Sequence, residues 1–234
     1  MKKSDNQPCF LFDLYGTLVD IRTDEESARF WKRIAAMLGY NDAPRIKARY
    51  LALCREESAE EEREADLTRV FEKLLQEFGC GGDAASFAYR FRTASLRRLK
   101  LFDGAAEILD GLRLRGAKLY LLSNAQACFT RRELDGLGLT EKFDGILLSS
   151  EAGWKKPSEK FFEAAFEKFS LAPEDCVYVG NDLRDDVFGA HRAGMRAVYI
   201  KTEQSGTYND VIVPDVAVKN HRQLKEILLG GGKL

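Results

Sequence analysis

The hydrophobic positions along this chain follow two different periods. Residues 9–13 (CFLFD) form a short apolar run that ends in a turn with Gly16, which indicates a buried strand with a carboxylate at its carboxyl end. From about residue 24 to residue 100, apolar residues such as Phe30, Ile34 and Leu38 recur at helical spacing instead. This spacing places them on one face of a helix, so the segment is predicted to be an all-helical insertion.

After Gly104 the two patterns alternate, which indicates a parallel sheet with right-handed crossovers and helices on both faces. Ligands of such doubly wound α/β sheets bind beyond the carboxyl ends of the strands. Asp13, Ser123 and Asn181 each end or follow a predicted strand, so these separated segments are expected to meet in one pocket. The predicted helices cover residues 105–115, 130–137, 158–169 and 185–193, and the predicted strands cover 118–123, 145–149, 176–180 and 196–200.

Length and charge limit the classes of partner. A chain of 234 residues with 45% hydrophobic positions can bury a full core. Its 36 basic and 37 acidic side chains nearly cancel, so neither a nucleic acid nor a membrane is expected as a partner. The N-terminal apolar run is too short for a signal peptide or a membrane span, which predicts a cytoplasmic location. The sequence does not fix an oligomeric state.

Cysteine and histidine usage narrows the possible chemistry. The five cysteines are widely scattered, with no C-x-x-C pair and no nearby histidines that would complete a zinc site, and are expected to be reduced thiols. Only His191 and His221 are present, so a Ser-His-Asp or Cys-His mechanism would depend on one of these two residues. Carboxylates are therefore the better candidates for catalysis.

Four short segments carry the candidate chemistry. In chain order they are residues 12–18 (FDLYGTL), 122–124 (LSN), 156–157 (KP) and 180–187 (GNDLRDDV). Together they resemble the four ordered motifs of the haloacid dehalogenase superfamily, over nearly the whole chain. The resemblance implies a Rossmann-like core of residues 1–20 and 101–234. It also implies that the helical insertion, residues 21–100, is an all-α cap domain.

The resemblance assigns catalytic and phosphate-binding roles to residues of these segments. Asp13 is expected to be a nucleophile that forms a covalent intermediate, although an aspartate by itself is more often a turn former or a helix cap. The ammonium of Lys156 can neutralise Asp13 and the charge of the transition state. Thr17, Ser123, Asn124 and Lys156 are expected to bind phosphate, for which hydroxyl and amide donors are suited.

The acidic segment that begins at Asn181 predicts a magnesium site. Asp182 and Asp186 stand at i and i+4 around a predicted helix start, so both carboxylates can face one side. The expected ligand set is Asp13, Tyr15, Asn181, Asp182 and Asp186, with a backbone carbonyl among the donors. Because Asn181 replaces the usual aspartate, ligation can shift to Asp182, use the Asn181 carbonyl oxygen, or weaken. An acidic turn that stabilises the helix dipole is the alternative interpretation.

Tyr15 departs from the pattern of the superfamily's phosphatases, which carry at this position a second aspartate that protonates the leaving group. We count Tyr15 among the catalytic residues because of this position. An aromatic residue followed by Gly-Thr resembles the 2-haloacid dehalogenases, whose halide leaving group needs no proton. Those enzymes dispense with metal and tend to carry Ser and Asn in the last motif, whereas this chain keeps Asp182, Asp185 and Asp186. The segment 30–50 also lacks the arginine-containing cap pattern of the dehalogenases.

Three functions follow from these observations. The leading prediction is a magnesium-dependent phosphohydrolase that acts on a small phosphorylated metabolite through an aspartyl-phosphate at Asp13. A metal-independent 2-haloacid dehalogenase is the second. A catalytically weak binding or regulatory protein is the third, because both Tyr15 and Asn181 depart from the usual pattern.

Overall fold

A computed structural model of the chain describes residues 7–58, 60–208 and 211–230. Its centre is a six-stranded sheet in which every neighbouring pair of strands is parallel, as the alternating pattern predicted. The strand order is β5-β4-β1-β6-β7-β8. These strands are β1 (Cys9–Phe12), β4 (Lys118–Ser123), β5 (Gly145–Leu148), β6 (Cys176–Gly180), β7 (Arg196–Ile200) and β8 (Val216–Val218).

The central strands are buried on both faces, which explains their continuous apolar runs. In β1, Phe10 and Phe12 point into one hydrophobic cluster while Cys9 and Leu11 point into another. The first cluster is covered by α5 (Ala105–Leu114), α6 (Ala127–Gly136) and α10 (His221–Leu229), and the second by α8 (Glu159–Phe169) and α9 (Gly189–Arg192). Helices on both faces confirm the doubly wound α/β fold.

The insertion after β1 contains four helices, as its periodicity predicted. Each helix begins behind a Ser or Asp whose side chain accepts a hydrogen bond from a backbone N–H of the first turn. Their apolar faces form a hydrophobic cluster of their own. The helices are α1 (Ala28–Met37), α2 (Ala43–Glu57), α3 (Leu67–Glu77) and α4 (Ala84–Ser95).

The two ends of this insertion are not helical. β2 (Val19–Thr23) and β3 (Leu96–Leu101) pair as an antiparallel ribbon, although residues 96–100 were predicted to be helical. Pairing with β2 decides the conformation of β3, and that partner is distant in sequence. Both predicted domain boundaries fall inside the ribbon, so the division into a core and a cap stays a prediction.

Other differences lie near the C-terminus. The single helix predicted over residues 185–193 is a π-helical turn (Leu183–Phe188) followed by α9, and α7 (Ser149–Ala152) begins directly after β5. Neither β8 nor α10 was predicted from the sequence.

All five cysteines are free. No helix within the described ranges is both long and apolar enough for a bilayer, and residues 1–6, part of the segment considered for a leader, lie outside those ranges.

Candidate active site

The carboxyl ends of three neighbouring strands meet at one cleft of about 180 Å³. Asp13 follows β1, Ser123 ends β4 and Asn181 follows β6, and β1 lies between the other two strands. The structure therefore brings together the segments that the sequence analysis expected to converge. The lining residues are Asp13, Tyr15, Ser123, Asn124, Lys156, Asn181, Asp182, Asp185, Asp186 and Gln204.

Asp13 is held by donors on both of its carboxylate oxygens. The Ser123 hydroxyl donates to Oδ1 at 3.0 Å, and the Lys156 ammonium donates to the same oxygen at 2.8 Å. Oδ2 accepts from the Thr17 hydroxyl at 3.1 Å. Asp13 is only 6% exposed, so these contacts fix the orientation of a nearly buried carboxylate.

Lys156 is the central cation of the cleft and is only 2% exposed. Its Nζ lies 2.8 Å from Asp13 Oδ1, 2.6 Å from Asp186 Oδ1 and 2.8 Å from the Tyr178 hydroxyl. Burial would lower the pKa of this ammonium, but the carboxylates of Asp13 and Asp186 raise it well above its ordinary value. Lys156 therefore stays charged and bridges the two carboxylates.

Negative charge exceeds positive charge around the cleft. The lining carboxylates belong to Asp13, Asp182, Asp185 and Asp186, whereas Lys156 is the lining cation. Burial raises the pKa of the Asp186 carboxyl, with Lys156 opposing and Asp13 adding to the shift. Burial likewise raises the pKa of Asp185, and Asp182 adds to that shift. Four carboxyl groups against one ammonium suit a bound cation, which would also favour the ionised forms of Asp185 and Asp186.

The donor set also suits magnesium chemically, because all candidate ligands are hard oxygens. Within the described part of the chain, no three His, Cys, Asp or Glu side chains are arranged to hold an ion by themselves. An ion here would therefore also take the amide oxygen of Asn181 or a backbone carbonyl. The carbonyl of Tyr15 and the side chains of Asp13, Asp182 and Asp186 are the other expected donors.

Asp182 and Asp186 contact different partners. Oδ1 of Asp182 accepts the backbone N–H groups of Arg184 and Asp185 at 2.9 and 2.8 Å, which caps the π-helical turn. Its Oδ2 accepts from the Tyr208 hydroxyl. Asp186 receives Lys156 on one oxygen and the backbone N–H of Asp182 on the other, at 2.9 Å. Both side chains line the cleft, but each is already engaged.

The side chain of Asn124 forms hydrogen bonds with the backbone of Lys156. Its Oδ1 accepts the Lys156 N–H at 2.7 Å, and its Nδ2 donates to the Lys156 carbonyl at 3.0 Å and to Asp185 at 3.0 Å. These contacts hold the backbone that places the Lys156 ammonium in the cleft. The predicted role of Asn124 in phosphate binding stays a prediction.

Thr17 and Gly16 shape the turn that follows Asp13. Thr17 is fully buried behind the cleft, and its hydroxyl lies 3.0 Å from Asn181 Oδ1 as well as near Asp13. Gly16 has a φ of +86°, and a Cβ there would lie 2.5 Å from Nδ2 of Asn181. Only glycine allows this backbone conformation and this close approach without strain.

Comparison with known proteins identifies the family to which this geometry belongs. A haloacid dehalogenase-like hydrolase model matches residues 8–194. The chain belongs to the haloacid dehalogenase-like hydrolase family.

Two of the curated relatives that this hydrolase resembles are phosphatases. The chain is 36% identical to a phosphoserine phosphatase of Thermus thermophilus, over 56% of this chain and 53% of the relative. It is 31% identical to a glyceraldehyde 3-phosphate phosphatase of Methanopyrus kandleri, over 68% of this chain and 71% of the relative. The chain thus spans little more than half the length of the first relative.

A solved 2-haloacid dehalogenase from Pseudomonas syringae shares the fold of this hydrolase. The TM-score is 0.70 at 23% identity, over 97% of this chain and all of that chain. Identity at this level supports the fold alone. The two proteins therefore share the same overall architecture.

Tyr15, which stands where the resemblance predicted an acid, points its hydroxyl toward α6 in this hydrolase. The hydroxyl contacts Glu133 and lies 2.9 Å from the Thr130 hydroxyl. Arg92 from α4 donates to the same glutamate at 2.6 Å. Burial, together with the charge of Glu133, raises the pKa of Tyr15 above its ordinary value. Tyr15 is thus a neutral phenol held between the core and the insertion.

The sequence analysis missed several residues of the site. Tyr178 accepts from Lys156 and donates to the Leu122 carbonyl at 2.7 Å, and Gln204 lines the cleft. Glu133 is the partner of Tyr15. Tyr178 occupies an ordinary strand position and Glu133 an ordinary helix position, so no local pattern marks them. Gln204 lies four residues beyond the end of β7, which is a weak positional signal.

Proposed function

We propose that this protein is a magnesium-dependent phosphohydrolase that acts on a small phosphorylated metabolite through an aspartyl-phosphate at Asp13. One observation carries the proposal. The Asp13 carboxylate lies at the cleft with an ammonium and two hydroxyls on its oxygens, beside an excess of other carboxylates. This arrangement orients a nucleophile, and the surrounding negative charge suits a cation.

The reaction consists of two displacements at phosphorus. In the first, an Asp13 oxygen forms a bond to phosphorus while the ester bond breaks and its electron pair goes to the leaving oxygen. Lys156 neutralises the negative charge around the transferred group. In the second, water attacks the aspartyl-phosphate, inorganic phosphate forms and the Asp13 carboxylate is regenerated. Ser123 and Thr17 keep the carboxylate oriented through both steps.

Asp13, Asn181, Asp182, Asp186 and the carbonyl of Tyr15 are the residues that would hold magnesium. When bound, magnesium screens the repulsion between an anionic nucleophile and an anionic phosphate. Lys156 already neutralises part of this charge. The remaining carboxylates still leave the cleft anionic, which supports a metal requirement.

The names of the relatives support a small substrate. Both are phosphatases named for small phosphorylated compounds, phosphoserine and glyceraldehyde 3-phosphate. The cleft, of about 180 Å³, is small enough to suit a compound of this kind. These observations favour a phosphorylated metabolite over a macromolecule.

A metal-independent dehalogenase is the second candidate, and Tyr15 is the observation that favours it. The acid position holds a neutral phenol that already donates to Glu133, so no carboxylic acid is available there. Halide departs without a proton. The acidic segment from Asp182 to Asp186 and the phosphatase relatives favour phosphate instead.

The two candidates are separated by the product and by the metal requirement. Purified protein would be incubated with p-nitrophenyl phosphate or with 2-chloropropionate, each with magnesium or with EDTA. We expect phosphate release that requires magnesium and is abolished by Asp13→Asn. Asp110→Asn, which changes a surface carboxylate on α5, is the matched control and should keep full activity.

Each other outcome points away from the proposal. Chloride release that persists in EDTA would establish the dehalogenase. Phosphate release that Asp13→Asn leaves intact would remove Asp13 as the nucleophile. If neither product appears under any condition, a binding or regulatory role gains support.

A further inference from the structure

His221 lies directly behind residues 14–19, the turn that follows Asp13 and that we call the nucleophile turn. It is the first residue of α10 and is only 8% exposed. Its Nε2 is 2.7 Å from the backbone carbonyl oxygen of Thr17, and its ring stacks on Phe102 with centroids 4.7 Å apart. A histidine at the start of the last helix thus contacts the turn that carries Asp13.

The direction of this hydrogen bond is fixed by chemistry. A carbonyl oxygen can only accept, so Nε2 of His221 must carry a proton. Burial lowers the pKa of His221, which favours the neutral ring with its proton on Nε2 at neutral pH. The ring therefore serves as a fixed donor.

Most backbone hydrogen bonds of the nucleophile turn are made within the turn. Gly16, Leu18 and Val19 make backbone hydrogen bonds within the turn itself. The backbone N–H of Phe102 donates to the Leu18 carbonyl at 2.9 Å. His221 and Phe102, which stack on each other, therefore hold two successive carbonyls of the turn from the core side.

Thr17 transmits this restraint to the reacting group. Its hydroxyl lies 3.1 Å from Asp13 Oδ2 and 3.0 Å from Asn181 Oδ1. Rotation of the peptide plane after Thr17 would shift the side chain that orients the carboxylate. A shift of this kind lowers the rate of the chemical step, because reaction depends on the alignment of the nucleophile.

We propose that His221 is a positioning residue, whose hydrogen bond to the Thr17 carbonyl fixes the Thr17 hydroxyl against Asp13. The inference rests on the proposed function, because it assigns Asp13 the role of nucleophile. His221 is not among the residues that line the cleft. It acts through Thr17, so the first residue of α10 helps to orient the Asp13 carboxylate.

Two substitutions test separately the N–H donor and the aromatic ring of His221. His221→Phe keeps an aromatic ring that can stack on Phe102 but removes the N–H donor. His221→Gln places an amide N–H the same number of bonds from the backbone and removes the ring. His191→Phe is the matched control, because His191 is exposed and pairs with Asp215 at the surface.

The assay measures kcat and KM for p-nitrophenyl phosphate with magnesium, with melting temperatures recorded for every variant. For His221→Phe we expect kcat to fall on the order of 10-fold to 100-fold with KM little changed. His221→Gln should recover most of that loss. His191→Phe should match the unsubstituted protein.

The remaining outcomes overturn the inference in distinguishable ways. If a folded His221→Phe keeps full kcat, or if the Gln variant falls as far as the Phe variant, the N–H donor has no positioning role. If the loss of rate follows the loss of folded protein, His221 is merely structural. If the unsubstituted protein releases no phosphate, or if Asp13→Asn still does, the proposed function fails first and the inference fails with it.

Discussion

Tyr15 shows how one residue can limit the chemistry of a site. Its hydroxyl contacts Glu133 and Thr130, and its pKa is raised by burial and by the charge of Glu133. A phenol with a raised pKa is a poor proton donor to a leaving group. The enzyme should therefore depend on leaving groups that depart as stable anions.

This dependence can be measured with a series of phosphate esters. We expect the logarithm of kcat/KM to fall steeply as the pKa of the leaving group rises from aryl to alkyl alcohols. A general acid typically contributes ~10²–10⁴ in rate, so alkyl esters should lag by about that factor. Tyr15→Asp, which supplies a carboxylic acid, should flatten the plot. A flat plot for the unsubstituted protein would mean that protonation is supplied by another group.

At the scale of single residues, the sequence predicts proximity better than orientation. The strand ends place Asp13, Ser123 and Asn181 at one edge of the sheet, which follows from topology alone. Which atoms meet depends on rotamers and on distant partners. The contact between the Asn124 amide and the Lys156 backbone could not be anticipated for this reason, and neither could the participation of Tyr178.

At the scale of elements, the connection between α2 and α3 docks the helical insertion onto the core. Glu64 N–H donates to the Gly153 carbonyl at 3.2 Å, and Lys155 N–H donates to the Glu62 carbonyl at 3.0 Å. The Glu64 carboxylate accepts from the Ser149 hydroxyl at 2.7 Å. Burial raises the pKa of Glu64, and the Ser149 hydrogen bond only partly offsets this. The docked state therefore contains a carboxylate that resists ionisation.

Glu64→Gln should make stability less sensitive to pH. A carboxyl whose pKa is raised by folding supports the folded state below its unfolded pKa, and this support is lost as pH rises through the folded pKa. The melting temperature of Glu64→Gln, relative to the unsubstituted protein, should therefore increase as pH rises from about 4 to about 7. Glu61→Gln, on the same connection but exposed, is the control. An equal offset at every pH would contradict the assignment.

Element prediction succeeds where the local pattern decides the structure. The bounds of β4, β6 and β7 were predicted residue for residue, because each is a buried apolar run between turn residues. The β2–β3 ribbon was missed because pairing between residues about 75 apart overrides the local pattern of residues 96–100. The π-helical turn after Asp182 was interpreted as an ordinary helix start for a different reason. Asp182 caps this turn as it would cap an α-helix, so the local pattern does not distinguish the two.

At the scale of the molecule, the hydrophobic residues fall into separate clusters. Two clusters lie on the two faces of the sheet, and a third lies inside the insertion. Phe129 of α6 belongs to the third and stacks on Phe91 at 6.2 Å, so it joins the insertion to the core. This separation is consistent with the prediction that residues 21–100 are a cap domain. The sequence predicts the two regions from their periods, but not the aromatic contact between them.

Because the hydrophobic clusters are separate, the insertion and the core should each unfold as a cooperative unit of its own. Phe30→Ala opens a cavity in the insertion and Phe161→Ala opens one against the sheet, and each should cost about 3–5 kcal/mol locally. In hydrogen exchange measured by mass spectrometry, Phe30→Ala should speed exchange within residues 28–95 while β1, β4 and β6 stay protected. Phe161→Ala should speed exchange in those strands. If Phe30→Ala accelerates both regions equally, the insertion and the core unfold as one unit, and residues 21–100 are not a domain in the thermodynamic sense.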